Sequence, residues 1–467
     1  MVLSRIWSAF IIIAVAIASI KYVSSGHYKT IFNDMVVGKG GDTVQIASQP
    51  MNTLTPLVRD SLMKKNDFAD RRIHYKTDSL KQNVNVYRVQ EADGVIGTSE
   101  TAVKICIGLI GIMTLFMGFM SIAEKAGGIN LLSRFIQPFF SKLFPEIPKN
   151  HPAFGHMLMN FSANLLGLDN AATPFGLKAM ESLQTLNPNK DTASNSQIMF
   201  LCLHAGGMTL IPVSIIAIRA SMGSKTPTDI FLPCMIATFA ATLAAMIIVS
   251  LYQKINLLRP VVIAYVGGIS ALIALLVVYL VQLSKDELDT FSKVLSNGLI
   301  LFIFLAIVLG AVYKKINVFD AFIEGAKEGF TTCVKIIPYL VGMLIAISLL
   351  RTSGVFDVII DGMKWVANTA GFDPRFVDGL PTALIKPLSG SGARGMMVDT
   401  MATFGADSFQ GKLAAVLQGS SDTTFYVIAV YFGAVAVKNT RYTVIAMLLA
   451  DLVGVITAIA LAYLFFA

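Results

Sequence analysis

Hydrophobic residues fall into long runs along the chain, and short polar segments separate the runs. Runs such as 261–283 and 442–467 can each form a helix of about twenty residues, the length that crosses a ~30 Å hydrocarbon core. Windows of about nineteen residues therefore predict a multi-spanning α-helical integral membrane protein. The predicted full spans lie near residues 6–22, 101–123, 195–219, 228–252, 258–284, 294–313, 331–351, 411–437 and 440–466.

The first predicted span is short, and Arg5 precedes its apolar core. We predict an uncleaved membrane anchor over residues 1–22. A secretory signal peptide is the alternative, because the apolar core ends in the small residues Ala18 and Ser19, as it does before a cleavage site.

A polar insert of residues 23–100 follows the anchor. It lacks the apolar length to cross a membrane, and it carries no catalytic signature. Its string Arg59–Arg72 indicates an amphipathic helix, and Val84–Val89 indicates a short strand. We expect a small extracytoplasmic lobe without chemistry of its own.

Two further segments are too polar for ordinary spans and too apolar for loops. The first runs from His156 to Met180, and the residues that interrupt its middle are Gly167, Asp169, Asn170, Thr173 and Pro174. The second runs from Leu380 to Met401, and the interrupting residues are Pro387, Gly390, Gly392 and Gly395. Both patterns predict a helix, a break and a second helix.

The two broken segments occupy corresponding positions in two halves of the chain. In each half, a span, a glycine-containing turn and an amphipathic stretch (130–143 and 356–369) precede the broken segment. Two spans joined by a short basic turn follow it. This order predicts an internal repeat. The predicted organisation is an anchor over 1–22, an insert over 23–100, a first repeat over 101–257, linking spans over 258–320 and a second repeat over 321–467.

The orientation of the repeats depends on whether the broken segments cross the membrane. If each segment dips in and returns as a re-entrant hairpin, a repeat has three spans and the second copy is inverted. If each segment crosses, the copies are parallel. Basic residues favour inverted repeats and a cytoplasmic N-terminus. That choice places on the cytoplasmic side Lys125, Arg134, Lys142, Lys149, Lys254, Arg259, Lys314, Lys315, Lys327, Lys438 and Arg441. It leaves on the opposite side Arg219, Lys225, Arg351 and Lys364.

Composition supports a membrane protein and excludes other classes. Hydrophobic residues make up 55% and charged residues 14% of the 467 positions, against roughly 25% charged residues in soluble domains. The net charge of +8 comes from Lys and Arg scattered at the ends of apolar segments, so we expect no nucleic-acid partner. The four cysteines lie in separate apolar stretches without Cys-x-x-Cys spacing, so we expect packing residues, no metal site and no cofactor.

Broken helices inside a membrane imply a polar interior, because unpaired backbone groups are tolerated there only beside protein or a watery cavity. In repeat-built transporters, half-helix N-termini direct their positive dipole ends at a polar or anionic substrate. Thr173-Pro174 is predicted to be such an N-terminus, with proline at the first helical position. The second tip, Ser389–Arg394, offers glycine backbone, hydroxyls and a guanidinium, although Arg394 could instead snorkel to the membrane interface.

Ionisable residues inside spans are costly, and they are functional candidates by default. His204 is either a hydrogen-bonded structural group or a proton carrier. Asp422 lies in Gln418–Thr424, where seven consecutive polar or glycine residues predict an unwound or cavity-lining segment. Asp451 stands among apolar neighbours, and it is either an interhelical partner or a transport residue.

Three motifs of the first half are specific enough to compare with known families: Lys104-Ile-Cys-Ile-Gly-Leu-Ile-Gly111, Glu124-Lys-Ala-Gly127 and Asn164-Leu-Leu-Gly-Leu-Asp-Asn-Ala-Ala-Thr-Pro-Phe-Gly-Leu-Lys-Ala-Met180. With these motifs, the first half closely resembles the spore maturation protein A family. The second half resembles the spore maturation protein B family, in Phe322-Ile-Glu-Gly-Ala-Lys-Glu-Gly-Phe330, Pro387-Leu-Ser-Gly-Ser-Gly392 and Gln418-Gly-Ser-Ser-Asp-Thr-Thr-Phe-Tyr426. Apart from the insert, the chain looks like a natural fusion of the two.

Both families carry the Gate, or nucleoside recognition, domain, which is shared with concentrative nucleoside transporters and the membrane part of ferrous iron transporters. The resemblance implies paired re-entrant hairpins and a transport-like core in a bacterial cytoplasmic (inner) membrane. It does not imply that the solute is a nucleoside. The chain departs from the family pattern at His204-Ala-Gly-Gly207, Asp169 and Arg394, all within the predicted site.

The leading hypothesis is a transporter of a small polar or anionic solute, with coupling to H⁺ or Na⁺ unassigned and a homo-oligomer left open. The alternative is a non-transporting envelope protein that acts through protein partners. An enzyme is not expected, because no hydrolase or protease motif occurs. The candidate substrate-binding residues are Asn164, Asp169, Asn170, Thr173, Ser389, Ser391, Arg394, Gln418, Ser420, Asp422 and Thr423. The candidates for coupling or gating are His204 and Asp451.

Overall fold

The computed structural model describes residues 2–24, 30–70, 73–78, 83–148, 151–166, 169–283 and 285–466. The described chain divides into two compact units. The larger unit comprises Met1–Leu3, Val103–Met343 and Met363–Ala467, and the smaller comprises Ser4–Ala102 and Leu344–Gly362.

The smaller unit contains helices α1 (Val2–Ser24), α2 (Ile31–Val37) and α3 (Pro56–Lys65). Its strands are β1 (Gly38–Pro50), β2 (Asp67–Asp70), β3 (Ile73–Asp78) and β4 (Asn83–Asp93). Within the described residues they form a four-stranded antiparallel sheet in the order β1-β4-β3-β2. An apolar cluster in this unit contains Ala14, Ala18, Ile31, Met35, Leu349 and Leu350.

The sequence predicts too little structure for the insert, and the sheet corrects the all-α expectation in this lobe. The predicted helix over 59–72 is shorter, because Asn66 takes a left-handed φ of 54° at the end of α3. The predicted strand lies within β4, where Val84 and Val86 are both buried, as the period of two in a strand requires. Strand β1 escaped prediction because its start, Gly38-Lys-Gly-Gly41, lacks the β-branched residues that strands favour.

The membrane part of the chain is helical. Its first half contains α4 (Val95–Lys125), α5 (Gly128–Leu143), α6 (Pro152–Leu165), α7 (Asp169–Leu186), α8 (Asn195–Ala205), α9 (Val213–Ser221) and α10 (Phe231–Gln253). The linking part contains α11 (Pro260–Val262), a π-helical turn (Ile263–Gly267), α12 (Gly268–Val281) and α13 (Lys285–Tyr313).

The second half contains α14 (Val318–Thr352), α15 (Val355–Thr369), a 3₁₀ turn (Pro374–Gly379), α16 (Leu380–Ile385), α17 (Gly390–Phe404), α18 (Phe409–Gly419), α19 (Thr424–Ala434) and α20 (Thr443–Phe466). The amphipathic stretches predicted at 130–143 and 356–369 are confirmed as α5 and α15. Helix α5 buries Ile129, Ile136, Phe140 and Leu143 at spacings of seven, four and three residues, which places them on one face.

Six helices in the described part of the chain are long and apolar enough to cross a membrane. They correspond to the predicted spans near 6–22, 101–123, 228–252, 258–284, 294–313 and 440–466. The chain is therefore a mostly helical, multi-pass membrane protein. Two of the other predicted full spans are wrong as continuous helices, because the segments near 195–219 and 411–437 are each divided between two shorter helices. The predicted span near 331–351 lies within the continuous helix α14, whose described apolar stretch is Leu340–Thr352.

Candidate functional site

The predicted span near 195–219 breaks after Ala205, and α9 begins at Val213. Gly207 lies in this break with a φ of +63°, a conformation that glycine adopts at little cost. A Cβ atom on Gly207 would lie 3.2 Å from the backbone nitrogen of Asp422. The break of the first half therefore lies directly against the polar run of the second half.

The polar run Gln418–Thr424 unwinds as predicted, because α18 ends at Gly419 and α19 begins at Thr424. The backbone N–H of Asp422 donates to the carbonyl oxygen of Ala205 over 2.8 Å. This bond joins the two breaks and satisfies one of the carbonyls that the end of α8 leaves without an intrahelical partner.

The first broken segment forms α6 and α7, with its break after Leu166. The prediction that Pro174 opens the second helix is wrong, because α7 begins at Asp169 and contains Pro174 in its interior. Residues before the proline, such as Asn170, already adopt helical backbone. The helix therefore starts at the polar Asp169-Asn170 pair, five residues before Pro174. The N–H of Leu210 donates to the carbonyl of Leu165 over 2.8 Å, which ties α6 to the break before α9.

The second broken segment forms α16 and α17 around a break at Lys386–Ser389. The hydroxyl oxygen of Ser389 accepts the N–H of Gly392 over 3.0 Å and caps α17. The N–H of Phe425 donates to the carbonyl of Pro387 over 2.9 Å. Lys386 Nζ donates to the carbonyl of Gln418 over 2.7 Å, which places a cation at the C-terminal end of α18.

These breaks surround a cavity of about 1190 Å³ in the larger unit. It is larger than the ~300–1000 Å³ typical of small-molecule sites. The residues predicted for the site that line it are Asn164, Thr173, His204, Ser389, Ser391, Arg394, Gln418, Asp422 and Thr423. Arg394 is thus part of the cavity wall, as predicted for a site residue. The side chains of Asp169 and Asn170 lie outside the described residues.

Two predicted site residues lie away from the cavity wall. Ser420 is buried, and its hydroxyl donates to the carbonyl of Leu417 over 2.9 Å. Asp451 is buried in α20 and accepts a hydrogen bond of 2.5 Å from the hydroxyl of Thr424 in α19. Of the two interpretations left open for Asp451, its position fits the interhelical partner.

The sequence did not single out the part of α14 that lines the cavity. Lys327, Glu328, Thr331 and Thr332 contribute there. Their spacing of four residues, 327 with 331 and 328 with 332, is the signal that could have found them, since residues four apart share a helix face. The predicted span began at 331, so Lys327 was assigned to topology and Glu328 was overlooked.

His204 and Asp422 form the central polar contact of the cavity. His204 Nε2 lies 3.6 Å from Asp422 Oδ2. His204 Nδ1 lies 3.1 Å from Asn160 Oδ1 and 2.8 Å from the amide nitrogen of Asn164. The ring of Tyr431 packs edge-on against the imidazole, with 5.0 Å between ring centroids. The histidine is thus held by both the first hairpin and the second half of the chain.

A buried ion network lies at one end of the larger unit. Arg219 has no exposed surface, and its guanidinium contacts Asp229 Oδ1 at 2.9 Å and Asp407 Oδ1 at 3.2 Å. Lys412 Nζ contacts Asp229 Oδ2 at 2.7 Å. Burial pushes the pKa of the Asp407 carboxyl upward, but hydrogen bonds from Ser224 and the Lys225 backbone, with the Arg219 charge, hold it below its ordinary value. The network bridges the two halves of the chain.

Comparison with known proteins supplies the class of protein. A family model described as Gate, nucleoside recognition, matches residues 106–225 and 333–438. These ranges contain both broken hairpins and both central breaks. The chain belongs to this nucleoside recognition family, as the sequence motifs predict.

Two curated relatives sharpen this classification. Spore maturation protein A of Bacillus subtilis (strain 168) is 46% identical over 156 residues, which are 33% of this chain and 80% of the relative. Spore maturation protein B of the same organism is 46% identical over 172 residues, which are 37% of this chain and 95% of the relative. The two matches cover different parts of the chain. No solved structure matches the chain.

Proposed function

We propose that the protein transports a small polar or anionic solute across the bacterial cytoplasmic membrane. The observation that carries this proposal is the cavity, whose wall is built from interrupted helices of both halves. Backbone breaks of this kind are sustainable in a membrane only beside protein or a watery cavity. In membrane transporters, broken helices of two repeats surround the substrate site in the same way.

The nature of the wall supports the solute class. The first residues of α9, α17 and α19 line the cavity, and a helix N-terminus carries a partial positive charge and free N–H groups. Lys386 and Arg394 add full positive charges, while Asp422 and Glu328 add negative ones. An anionic or zwitterionic solute can match this mixture of charges. A purely apolar solute would displace water from these groups without replacing its hydrogen bonds, at a cost in desolvation.

We propose that the membrane part consists of two repeats derived from a fusion of the two spore maturation protein types. The helix order supports the repeat. In each half, a long helix, an amphipathic helix, two hairpin helices, two half-helices and a final long helix follow one another, from α4 to α10 and from α14 to α20. The domain boundaries at 101–257 and 321–467, with linking spans at 258–320, remain part of this proposal.

Two contacts support the inverted arrangement with re-entrant hairpins. The loop at the open end of the first hairpin pairs with the turn between α19 and α20, where the Lys438 and Asn439 N–H groups donate to Asp191. The loop at the open end of the second hairpin pairs with the turn between α9 and α10, where the Lys225 N–H donates to Asp407 Oδ2. Each pair of half-helices leads away from its own hairpin's open end. The two hairpins would therefore open on opposite sides of the membrane.

The proposed orientation places the N-terminus in the cytoplasm and the insert outside. Two of the basic residues that oppose this orientation are neutralised in the fold. Arg219 is buried between Asp229 and Asp407, and Lys364 lies 2.8 Å from Asp378. The positive-inside tendency concerns charges in short loops near the ends of spans. A fully buried, paired arginine does not add to it, so the bias toward a cytoplasmic N-terminus strengthens.

A flux assay in proteoliposomes tests the proposed function. The panel contains labelled nucleosides, sugar phosphates, dicarboxylates, amino acids and inorganic phosphate. We expect at least one solute to enter faster than in protein-free liposomes. Ser391→Leu should abolish this flux by filling the cavity, and Asp422→Asn should reduce it, while Thr457→Leu adds the same bulk to α20 away from the cavity. A second readout is whether each variant restores the normal phenotype of cells that lack the gene. If the panel gives no flux and both cavity variants still restore that phenotype, the transporter proposal is wrong.

The second candidate is a non-transporting envelope protein that acts through protein partners. The observation that favours it is the smaller unit, which combines a four-stranded sheet with an apolar cluster formed by its helices. Deletion of residues 38–93 separates the two candidates. If the deletion variant keeps solute flux but no longer restores cells that lack the gene, the partner-based role is favoured. If the variant loses both the flux and the restoration, the insert has a structural role.

A further inference from the structure

His204 Nε2 and Asp422 Oδ2 lie 3.6 Å apart, within the distance of an ion pair when the histidine carries a proton on both nitrogens. Asp422 Oδ1 accepts the backbone N–H of Thr423 over 2.7 Å, which leaves Oδ2 as the oxygen that faces His204. His204 is 5% exposed, whereas the side chain of Asp422 is 41% exposed and lines the cavity. One partner of the pair is therefore buried in protein, and the other is open to solvent and solute.

The hydrogen-bond network assigns the histidine tautomer. Asn160 donates its side-chain N–H to the carbonyl of Ala172 over 2.7 Å, so its Oδ1 is the atom that faces His204 Nδ1. An amide oxygen only accepts, so the contact with Asn160 needs a hydrogen on Nδ1. We infer that Asn164 turns its carbonyl oxygen, rather than its amide nitrogen, toward the same hydrogen, because two donors would repel each other. The second ring nitrogen, Nε2, is then the atom left for a further proton.

We propose that His204 Nε2 and Asp422 Oδ2 together bind one proton from the cavity, and that this proton couples solute movement. Without the proton, the bare lone pair of Nε2 faces a carboxylate, which is repulsive. With the proton, the two groups form an imidazolium–carboxylate pair or its neutral equivalent. The proton comes from water in the cavity and returns to water, so no bond other than N–H or O–H forms or breaks.

The charge of the pair links the proton to the solute. The pair carries one negative charge without the proton and none with it. An anionic solute beside Asp422 is repelled by the first state and tolerated by the second, because like charges a few ångströms apart repel strongly in a partly buried site. The coupling part of the proposal rests on the proposed transport function and predicts that protons and anionic solute move in the same direction.

Other titratable groups face the same cavity or pack beside the pair on the neighbouring elements. Tyr431 and Tyr426 come from α19, Asp451 from α20, Lys386 from the second hairpin break, Arg394 from α17, and Lys327 and Glu328 from α14. Lys386 is held at the carbonyl of Gln418, and Asp451 is held by Thr424. His204, in the last turn of α8, and Asp422, in the break between α18 and α19, connect the two halves of the chain through their side chains.

Solid-supported-membrane electrometry tests the proton site with protons as the only probe. Purified protein in liposomes is exposed to a jump from about pH 8 to about pH 5, which spans the range in which histidine changes charge. We expect a transient charge displacement in the absence of any solute. His204→Gln and Asp422→Asn should each reduce it to the level of protein-free liposomes. The matched control is Asp191→Asn, an exposed carboxylate in the loop after α7.

The outcomes separate this proposal from the proposed function. The proton site is overturned if the charge displacement is unchanged in both His204→Gln and Asp422→Asn. It is also overturned if Asp451→Asn is the one variant that abolishes the charge displacement. Because the electrometry adds no solute, it still tests the proton site if the flux assay finds no transported solute. Solute flux that is indifferent to an imposed pH gradient would overturn the coupling while the transporter stands. If one variant does not fold, as judged by gel filtration in detergent, the other variant decides.

Discussion

Arg219 illustrates how much a single buried residue determines in this fold. Its guanidinium is fully buried and donates to Asp229, Asp407 and the carbonyl of Ala406. In the sequence it counted only as a basic residue on the wrong side of the membrane. The sequence could not show that Asp229 and Asp407 neutralise it, because the latter partner lies 188 positions away.

Arg219→Ala should lower the free energy of unfolding by about 3–5 kcal/mol, because it leaves Asp229 buried without its main partner. The control is Arg375→Ala, which removes an exposed ion pair with Asp373 and should change stability by about 1 kcal/mol or less. Thermal unfolding of the purified protein in detergent measures both. Equal melting temperatures of Arg219→Ala and the native protein would mean that the network does not hold the two halves together.

The depressed pKa of Asp407 predicts a pH dependence of stability. Because the folded state holds this carboxyl below its ordinary value, its contribution to stability is present above about pH 4 and is lost as the pH falls further. Melting temperatures across this acidic range should fall less steeply for Asp407→Asn than for the native protein. An identical slope in the two proteins would contradict the assignment.

At the residue scale, the candidate site was largely predictable. Polar residues in apolar segments have no packing reason, and most of those chosen, such as His204, Ser391 and Asp422, line the cavity. Ser420 does not, because the exact end of a helix decides which side a residue faces, and sequence patterns leave that end uncertain by a few residues. Asp451 does not, because it faces Thr424 of α19, a neighbour that the pattern of α20 does not reveal. Glu328 was missed because it precedes the apolar part of α14.

At the scale of elements, hydropathy identified the continuous helices and misjudged the interrupted ones. The apolar residues on both sides of Gly206 and Gly207 suggest one span near 195–219, although the chain forms α8 and α9 there. Hydropathy measures whether residues tolerate lipid, and it does not report backbone continuity. The polar run around Asp422 did signal its break, since unwound backbone needs polar surroundings.

Gly207→Ala should destabilise the protein by about 1–2 kcal/mol, because its left-handed φ disfavours a side chain and a Cβ would crowd Asp422. The matched control is Gly155→Ala in α6, where a Cβ meets nothing within 4 Å. That change should raise stability by about 0.5–1 kcal/mol through helix propensity. Thermal unfolding in detergent distinguishes the two. A neutral Gly207→Ala would show that the break tolerates another backbone conformation.

At the scale of the whole molecule, the membrane class followed from composition and span length alone. The sheet of the smaller unit did not, because strand pairing between β1 and β4 joins residues that are 55 positions apart at Gly38 and Asp93 and 33 apart at Pro50 and Asn83. The proposed inversion of the repeats likewise rests on long-range contacts such as Asp191 with Lys438. A single sequence does not indicate which distant residues are in contact, because that information comes from positions that vary together among relatives.

Cysteine labelling in intact cells tests the inverted repeats. In a background without the four buried native cysteines, Lys190→Cys and Lys438→Cys should react with a membrane-impermeant thiol reagent from the same side. Lys225→Cys and Arg375→Cys should react from the opposite side. Because one position comes from each half of the chain, equal labelling of these two variants is the internal control. Under the proposed orientation, the second pair is the one labelled from outside. Labelling of Lys190→Cys and Arg375→Cys from one side would contradict opposite-facing hairpins.

The central claim is that both halves of the chain build one solute path. The most direct test compares proteoliposome flux of the transported solute in Thr173→Leu, from the first half, and Ser391→Leu, from the second half. Both residues line the cavity, and Thr457→Leu is the control for added bulk. We predict that each cavity variant alone reduces flux to the level of protein-free liposomes while the control keeps it. Native flux in a well-folded Thr173→Leu or Ser391→Leu protein would contradict the claim.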